Sequence, residues 1–374
     1  MNVWAADGAL SGFYNQTIRE VARISIGGER LVLRLTNEFG DRPFQLDAVQ
    51  IAMAGEGGAA EPLTTRPVTF GGSRSATIHA GSPLFSDPID LAVGPLARVA
   101  VSYYSSGFIP VHTHHFEAQQ TAFISVPGNF AAAEQMIVQQ TTTSRYLLSA
   151  IHCETETATG GVVCIGDSIT DGYGSSIDGD CRWPDILAER FQQHGHESLA
   201  VVNLGIGGNR ILHNRRGQKL LERFDRDVAS LAGMTHLVVL EGVNDIVWPH
   251  TVLAGPDEEV RADDIIAGLR QVIARARIAG LKVAVGTVTP FEGTMSEVPN
   301  SGYYTAGKER TRQAVNKWIR SQDDDVHVLD FDAVLRDPAH PARLLPAFDS
   351  DDHIHPNDSG YRAMAEAVDL GWFN

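Results

Sequence analysis

Five residues between positions 168 and 355 have the types that nucleophilic catalysis at a carbonyl carbon needs: Ser168, Gly208, Asn244, Asp352 and His355. A serine hydroxyl is a poor nucleophile at neutral pH until a base accepts its proton, and histidine, which titrates nearest to neutrality, is the usual base. The histidine needs a carboxylate on its far ring nitrogen, and Asp352 stands three positions before His355. The backbone N–H groups of Ser168 and Gly208 and the amide of Asn244 would donate to the oxyanion of a tetrahedral intermediate.

Short apolar runs and longer amphipathic segments alternate from residue 161 onward, and the five residues lie where these segments end. Strands are predicted at residues 162–165, 199–204, 236–240, 282–288 and 326–329. Helices are predicted at residues 183–194, 219–231, 262–279 and 305–321, and after Pro356. This order predicts an α/β domain with a doubly wound, flavodoxin-like parallel sheet between two helical layers. Since ligands bind at the carboxyl ends of such strands, we expect the five residues to meet in one crevice.

The first part of the chain, residues 1–150, has a different pattern and predicts an all-β domain, a sandwich or jelly roll. Alternating runs at 18–26 and 30–35 flank Gly27-Gly28 and predict a hairpin. Further short strands are predicted at 44–52, 68–70, 76–78, 89–91, 99–104 and 122–126. Residues 151–160 are predicted to be a linker, and residues 161–374 the α/β domain.

Composition excludes several classes of protein. The formal net charge of −16 over 374 residues disfavours binding to nucleic acid, because phosphate backbones would be repelled. No apolar run is long enough to cross a bilayer. No secretory leader precedes Trp4, which predicts a cytoplasmic protein, or a secreted or periplasmic one if an export signal has been removed ahead of Met1.

Cysteines and histidines outside the crevice give little support for a metal site. Cys164 lies in a predicted strand and is expected to be a small buried hydrophobe, while a bridge between Cys153 and Cys181 stays open. Three histidines lie close together but lack a carboxylate or cysteine at ligand spacing, so a loop near the mouth of the site is favoured over a metal centre. These are His112, His114 and His115.

The motifs at the strand ends resemble those of the SGNH, or GDSL-type, serine esterases and lipases. The first has isoleucine where the family usually has leucine, and the others follow in the family's order. The matching motifs are Gly166-Asp167-Ser168-Ile169, Asn203-x-Gly205-x-x-Gly208, Gly242-x-Asn244-Asp245 and Asp352-x-x-His355-Pro356.

The resemblance covers about residues 161 to 374 and implies an esterase that uses neither metal nor organic cofactor. It implies that Ser168 is the nucleophile, that His355 is the base and that Asp352 orients His355. Ser168, Gly208 and Asn244 would form the oxyanion hole. The β domain resembles a module that precedes the hydrolase domain in some bacterial esterases. Short acyl esters, including sugar-linked acetyl groups, are the expected substrates, because no long apolar lid segment separates the motifs.

Other assignments within the crevice remain possible. His353 is an alternative base, and Asp349 and Asp351 are alternative orienting carboxylates. Some polar residues of the motifs are expected to support loops through hydrogen bonds; they are Asp167, Thr170, Asp171 and Asp245. Four apolar or aromatic residues either line a substrate pocket or, as is more common, pack in the core; they are Ile246, Trp248, Phe291 and Tyr303.

Two functions of other classes are also compatible with parts of the sequence. In one, the β domain binds carbohydrate and the α/β domain is vestigial, which predicts glycan affinity in residues 1–150 and no ester turnover. In the other, the turn from Gly205 to Gly208 binds the phosphate of a nucleotide or flavin, although the chain lacks a complete phosphate-loop motif. A copurifying nucleotide or flavin would favour this second function.

Overall fold

The computed structural model describes residues 12–298, 301–323 and 325–374. The chain divides into two units, Met1–Ala158 and Thr159–Asn374. No helix within the described ranges is both long and apolar enough to cross a membrane.

The first unit is built from antiparallel sheets, as the sequence predicts. A six-stranded sheet has the order β10-β9-β1-β8-β4-β5, a three-stranded sheet has the order β11-β2-β7, and β3 pairs with β6. One apolar cluster contains Ile18 and Val101 from the larger sheet and Leu33 from the smaller one, which is the packing of a β-sandwich. The strands are β1 Gly12–Arg23, β2 Arg30–Thr36, β3 Phe44–Leu46, β4 Ala48–Met53, β5 Arg66–Pro67, β6 Ala76–Ile78, β7 Pro83–Phe85, β8 Arg98–Pro110, β9 Ala122–Ser125, β10 Val138–Thr142 and β11 Leu148–Glu154.

The predicted hairpin around Gly27-Gly28 is wrong. β1 pairs with β8 and β9, whereas β2 pairs with β11 and β7, so the two strands belong to different sheets. Both strands have an apolar inward face. Because the chain passes from one sheet to the other between them, the two faces can pack against each other. Alternation alone shows which face is buried but does not identify the neighbouring strand.

Other segments of the first unit also differ from the prediction. The run 44–52 is broken into β3 and β4, and residues 68–70 and 89–91 form no strand of their own, although Ile89 makes a bridge to Leu31. Residues 151–154, predicted to belong to the linker, lie in β11 and pair with β2. Only residues 155–159 separate β11 from the next strand.

The second unit confirms the predicted α/β fold. Five parallel strands have the order β13-β12-β14-β15-β16. The strands are β12 Gly160–Gly166, β13 Leu199–Gly205, β14 His236–Leu240, β15 Lys282–Gly286 and β16 Val326–Leu329, followed by the small hairpin β17 Arg336–Asp337 and β18 His340–Leu344. The helices are α1 Ser168–Asp171, α2 Trp183–Gln193, α3 Leu220–Phe224, α4 Val243–Val247, α5 Ala262–Ile278, α6 Ala306–Arg320, α7 Phe331–Leu335 and α8 Asp358–Glu366.

Side chains of β12 show how the sheet is covered on both faces. Val163 packs in one apolar cluster with Leu269 of α5, while Cys164 packs in another with Leu187 of α2 and Met364 of α8. Because successive strand residues point to opposite faces, a fully apolar strand requires a helical layer on each side. Cys164 is thus the buried hydrophobe that the sequence predicts.

Candidate active site

The turn that carries Ser168 begins where β12 ends. The Asp167 carboxylate caps α1 by accepting the Ile169 N–H at 3.0 Å, and Ser168 is the first residue of that one-turn helix. The strand leaves no room for a side chain at Gly166, because a Cβ there would lie 2.2 Å from the carbonyl oxygen of Leu240. This close packing fixes the point at which the chain turns, and it leaves Ser168 only 7% exposed.

His355 lies between the serine and a carboxylate. Its Nε2 is 2.7 Å from Ser168 Oγ, and its Nδ1 is 2.5 Å from Asp352 Oδ2. The second oxygen, Asp352 Oδ1, accepts the backbone N–H groups of Ile354 and His355 at 3.1 and 2.9 Å. The Asp352 carboxylate therefore holds both the loop backbone and the His355 ring. When the proton of the ring is on Nδ1, Nε2 can accept a hydrogen bond from the Ser168 hydroxyl.

The charge of Asp352 is stabilised in this position. Partial burial alone raises the pKa of its carboxyl, but the hydrogen bond and charge of His355 outweigh burial and lower the pKa to about 2. Asp352 is therefore ionised across the pH range in which a histidine titrates.

The alternative base and carboxylates occupy different positions. His353 Nδ1 bonds Asp349 Oδ2 at 2.6 Å, so these two residues form a second pair beside the first. Among the described residues, the histidine ring bonded to Ser168 is that of His355, and its carboxylate partner is Asp352. Asp351 lies at a left-handed backbone position, with φ of 73°.

The glycine turn after β13 is held by side chains of the other motifs. Asp171 Oδ2 accepts the Gly207 N–H at 3.0 Å. Asn244 Nδ2 donates to the carbonyl oxygen of Asn209 at 3.0 Å. Asp245 accepts the backbone N–H groups of Ile211 and Leu212 at 2.8 and 3.0 Å. Gly208 thus lies in a turn whose backbone is held by hydrogen bonds before and after it.

Three hydrogen-bond donors remain available around this turn. Ser168 is the first residue of α1, where helix geometry leaves the backbone N–H unused. Within the described part of the chain, neither the Ser168 nor the Gly208 N–H donates to a backbone or side-chain acceptor. The Asn244 amide carries a second N–H besides the one that bonds Asn209.

The sequence did not predict that the carboxyl groups of Asp167, Glu241 and Asp245 are buried. Glu241, directly after β14, is buried, and neither of its carboxylate oxygens makes a well-formed hydrogen bond within the described part of the chain. The nearest guanidinium, that of Arg223, is 3.9 Å away. Burial, followed by the negative charge of Asp167, raises the pKa of Glu241 well above its usual value. Burial also raises the pKa of Asp167 to about 7 and that of Asp245 to about 6.

Of the four residues considered for a substrate pocket, three are buried in the core cluster: Ile246, Trp248 and Phe291. Trp248 lies beside the glycine turn, since a Cβ added at Gly208 would be 2.8 Å from the Trp248 ring and 2.7 Å from Cδ of Arg216. Tyr303 is only half-buried.

No metal centre or disulfide is found in the described ranges. No group of three or more His, Cys, Asp or Glu side chains there could hold a metal ion. The ring of His112 instead lies 3.7 Å from Asp41. Cys153 and Cys181 are both free thiols.

Comparison with known proteins identifies the family. The model of the GDSL-like Lipase/Acylhydrolase family matches residues 164–363, more than half of the chain. The protein therefore belongs to the GDSL-like lipase and acylhydrolase family, and it is an ester hydrolase. A comparison with curated proteins found no match.

Solved structures similar to this chain each match a little over half of it. They include a GDSL-like lipase from Bacteroides thetaiotaomicron, with 19% identity, a TM-score of 0.41 and coverage of 56% of this chain and 85% of that one. A carbohydrate acetylesterase family member from Sinorhizobium meliloti has 18% identity, a TM-score of 0.43 and coverage of 56% and 94%. The aryl esterase of M. smegmatis has 17% identity, a TM-score of 0.44 and coverage of 56% and 95%.

Proposed function

We propose that this protein cleaves carboxylic esters through an acyl intermediate on Ser168. One observation carries the proposal: the two nitrogens of a single imidazole, His355, lie 2.7 Å from a serine hydroxyl and 2.5 Å from a carboxylate. In this arrangement a proton can leave the serine while the resulting imidazolium is stabilised by Asp352.

The first half-reaction forms the acyl-enzyme. Ser168 Oγ attacks the carbonyl carbon as its proton passes to His355 Nε2, and the carbonyl oxygen takes the negative charge. The intermediate then collapses, the bond to the leaving alcohol breaks, and Nε2 gives its proton to that oxygen.

The second half-reaction releases the acid. A water molecule gives a proton to His355 Nε2 as its oxygen attacks the acyl carbon. The bond to Ser168 Oγ then breaks, and the proton returns from Nε2 to the serine. Asp352 stays ionised throughout, because its pKa is about 2.

The oxyanion of both intermediates would be held by the N–H groups of Ser168 and Gly208 and by the Asn244 amide. Hydrogen bonds from Asp171 and Asp245 hold the glycine turn, so these donors would be oriented before the substrate binds. Donors that are already oriented need no rearrangement when charge develops, which is the source of their effect on rate.

We further propose that the reaction needs no metal and that the acyl group is short, with sugar-linked acetyl esters as one candidate class. The Trp248 ring and the Arg216 side chain pack against Gly208, so little space remains on that side of the proposed oxyanion donor. A short acyl group requires less space than a long hydrocarbon chain.

Steady-state hydrolysis of p-nitrophenyl acetate, butyrate and laurate, and of an acetylated oligosaccharide, tests these proposals. Wild type should turn over the short esters in the presence of EDTA, and Ser168→Ala and His355→Ala should each lose at least about 10³-fold in kcat. His353→Ala is the matched control and should stay within a few-fold of wild type. Activity that persists in Ser168→Ala would rule out the acyl-serine mechanism. A higher kcat/KM for laurate than for acetate would rule out the preference for short acyl groups.

A further inference from the structure

The ring of Tyr173 lies against the imidazole of His355. The two ring centroids are 4.6 Å apart, and the ring planes are inclined by 53°. Both nitrogens of that imidazole already have partners in Ser168 and Asp352. Tyr173 therefore adds an aromatic contact to a ring whose polar contacts are complete.

The backbone of Tyr173 is held from two directions. Its N–H donates to the carbonyl oxygen of Ser168 at 3.0 Å. Its own carbonyl oxygen accepts the hydroxyl of Tyr361, a buried residue of α8, at 2.5 Å. The aromatic contact is thus tied both to the backbone of the serine turn and to the last helix.

The glycines on either side of Tyr173 make this loop path possible. Gly172 and Gly174 have φ of 100° and 87°, a region that favours glycine. A Cβ at Gly174 would lie 2.8 Å from the carbonyl oxygen of Pro356, the residue that follows His355. The loop therefore passes too close to the histidine segment for any other residue at that position.

We propose that Tyr173 is a positioning residue that acts through His355, where its ring keeps the imidazole in place and favours the imidazolium formed during turnover. The face of an aromatic ring carries partial negative charge and attracts a cation within about 6 Å of its centroid. A neutral imidazole gains less from that face than an imidazolium does. The contact therefore becomes stronger as the proton arrives, which is the condition for an effect on kcat. This inference rests on the proposed serine mechanism.

Other charges near the imidazole limit the size of the effect. Asp352 faces it from the same loop, and Asp167 interacts with its charge from the start of α1. The carboxylate of Asp352 favours the imidazolium throughout, and that of Asp167 does so above its pKa of about 7, so Tyr173 contributes only part of the stabilisation. We expect its loss to lower kcat by roughly 2- to 30-fold, the range of cation–π energies from exposed to desolvated sites.

The first test compares Tyr173→Phe, which keeps the ring, with Tyr173→Leu and Tyr173→Met, which remove it. Tyr173 is 37% exposed, and the native fold of each variant is checked by circular dichroism. The Phe variant should retain kcat within about 2-fold, whereas Leu and Met should lower kcat with little change in KM. In these two variants the midpoint of the acidic limb of the pH profile of kcat/KM should move to lower pH. Equal losses in Phe, Leu and Met, or no loss in Leu and Met, would overturn the inference.

A second readout does not depend on ester turnover. The ring protons of His355, assigned by comparison with His355→Gln, can be titrated by NMR in wild type and in the Tyr173 variants. Loss of the ring should change the ring-current shift of these protons and lower their titration midpoint in Leu and Met but not in Phe. If turnover survives in Ser168→Ala, the mechanism fails whatever the titration shows. If the midpoint is unchanged in Leu and Met, the inference about Tyr173 fails even when the mechanism holds.

Discussion

Asp171 Oδ2 accepts the backbone N–H of Gly207 at 3.0 Å, so a side-chain hydrogen bond joins the serine turn to the glycine turn. The two residues are 36 positions apart in the sequence, and they follow β12 and β13, which are neighbouring parallel strands. Together with the bond from the Ile206 N–H to the Gly166 carbonyl oxygen, this side-chain bond holds Gly208 near Ser168.

The first prediction concerns this bond. Asp171→Ala should lower kcat by about 10-fold or more, because misplacement of a reacting group by about 1 Å can cost 10²-fold. Asp171→Asn keeps an acceptor oxygen and should retain more activity than the alanine variant. The comparison is made with p-nitrophenyl acetate, and equal activity of wild type and Asp171→Ala would show that the bond does not position the donor.

The second prediction concerns the oxyanion. Asn244→Ala should lower kcat by about 10² to 10³-fold, the usual cost of losing one donor of this kind, with a smaller change in KM. The same substitution also removes the bond to Asn209, so the melting temperature is measured alongside. A folded variant with undiminished kcat would exclude Asn244 from the oxyanion hole.

The third prediction concerns the charge of Asp352. Asp352→Asn can still accept the loop N–H groups but cannot stabilise an imidazolium, and kcat should fall on the order of 10³ to 10⁴-fold. Since the pKa of Asp352 is about 2, its own titration should add no limb to the activity profile between pH 5 and pH 9. A loss below 10-fold would assign the orienting role to another carboxylate.

The fourth prediction uses Glu241, whose raised pKa makes stability depend on pH. A carboxyl with a higher pKa in the folded state stabilises the fold fully below its unfolded pKa, and that contribution is lost as pH rises towards the folded value. Wild type should therefore lose stability with rising pH, and Glu241→Gln should lose less. We expect the variant to be more stable by about 1–3 kcal/mol at pH 9. Urea unfolding at pH 6 and pH 9 measures this, and parallel pH dependences would contradict it.

The fifth prediction concerns Gly172, where a Cβ would lie 1.9 Å from Cγ of Arg182. Gly172→Ala should cost more stability than Gly280→Ala, the matched control. Gly280 also has a positive φ, of 79°, but no atom lies within 4 Å of its Cβ position. The control isolates backbone strain, roughly 1 kcal/mol, from the steric clash. Equal melting temperatures of the two variants would show that the Arg182 side chain moves aside at little cost.

The fold of the second unit could be predicted because its central strands are buried on both faces and therefore appear as short apolar runs. The polar residues of the proposed site follow from the same pattern, since they stand where these runs end. The strand pairing of the first unit could not be predicted in this way. β1 and β2 both alternate, and alternation identifies a buried face but not a neighbouring strand.

Residues whose role depends on tertiary contacts also could not be predicted from the sequence. Nothing near Glu241 in the sequence shows that it is buried beside Arg223. Tyr173 is one of eight tyrosines, and its contact with His355 depends on a loop path set by two glycines and Tyr361. A Gly-Tyr-Gly sequence shortly after the serine is the one local signal that could have drawn attention to it.

The acyl-serine itself is the most direct test of the account. Turnover of p-nitrophenyl butyrate is stopped with acid during the reaction, and the digested protein is mapped by mass spectrometry. We predict one butyryl group on the peptide that contains Ser168, absent in Ser168→Ala and strongly reduced in His355→Ala. A butyryl group on a different residue, or full turnover with no acylated peptide at any time, would contradict the mechanism.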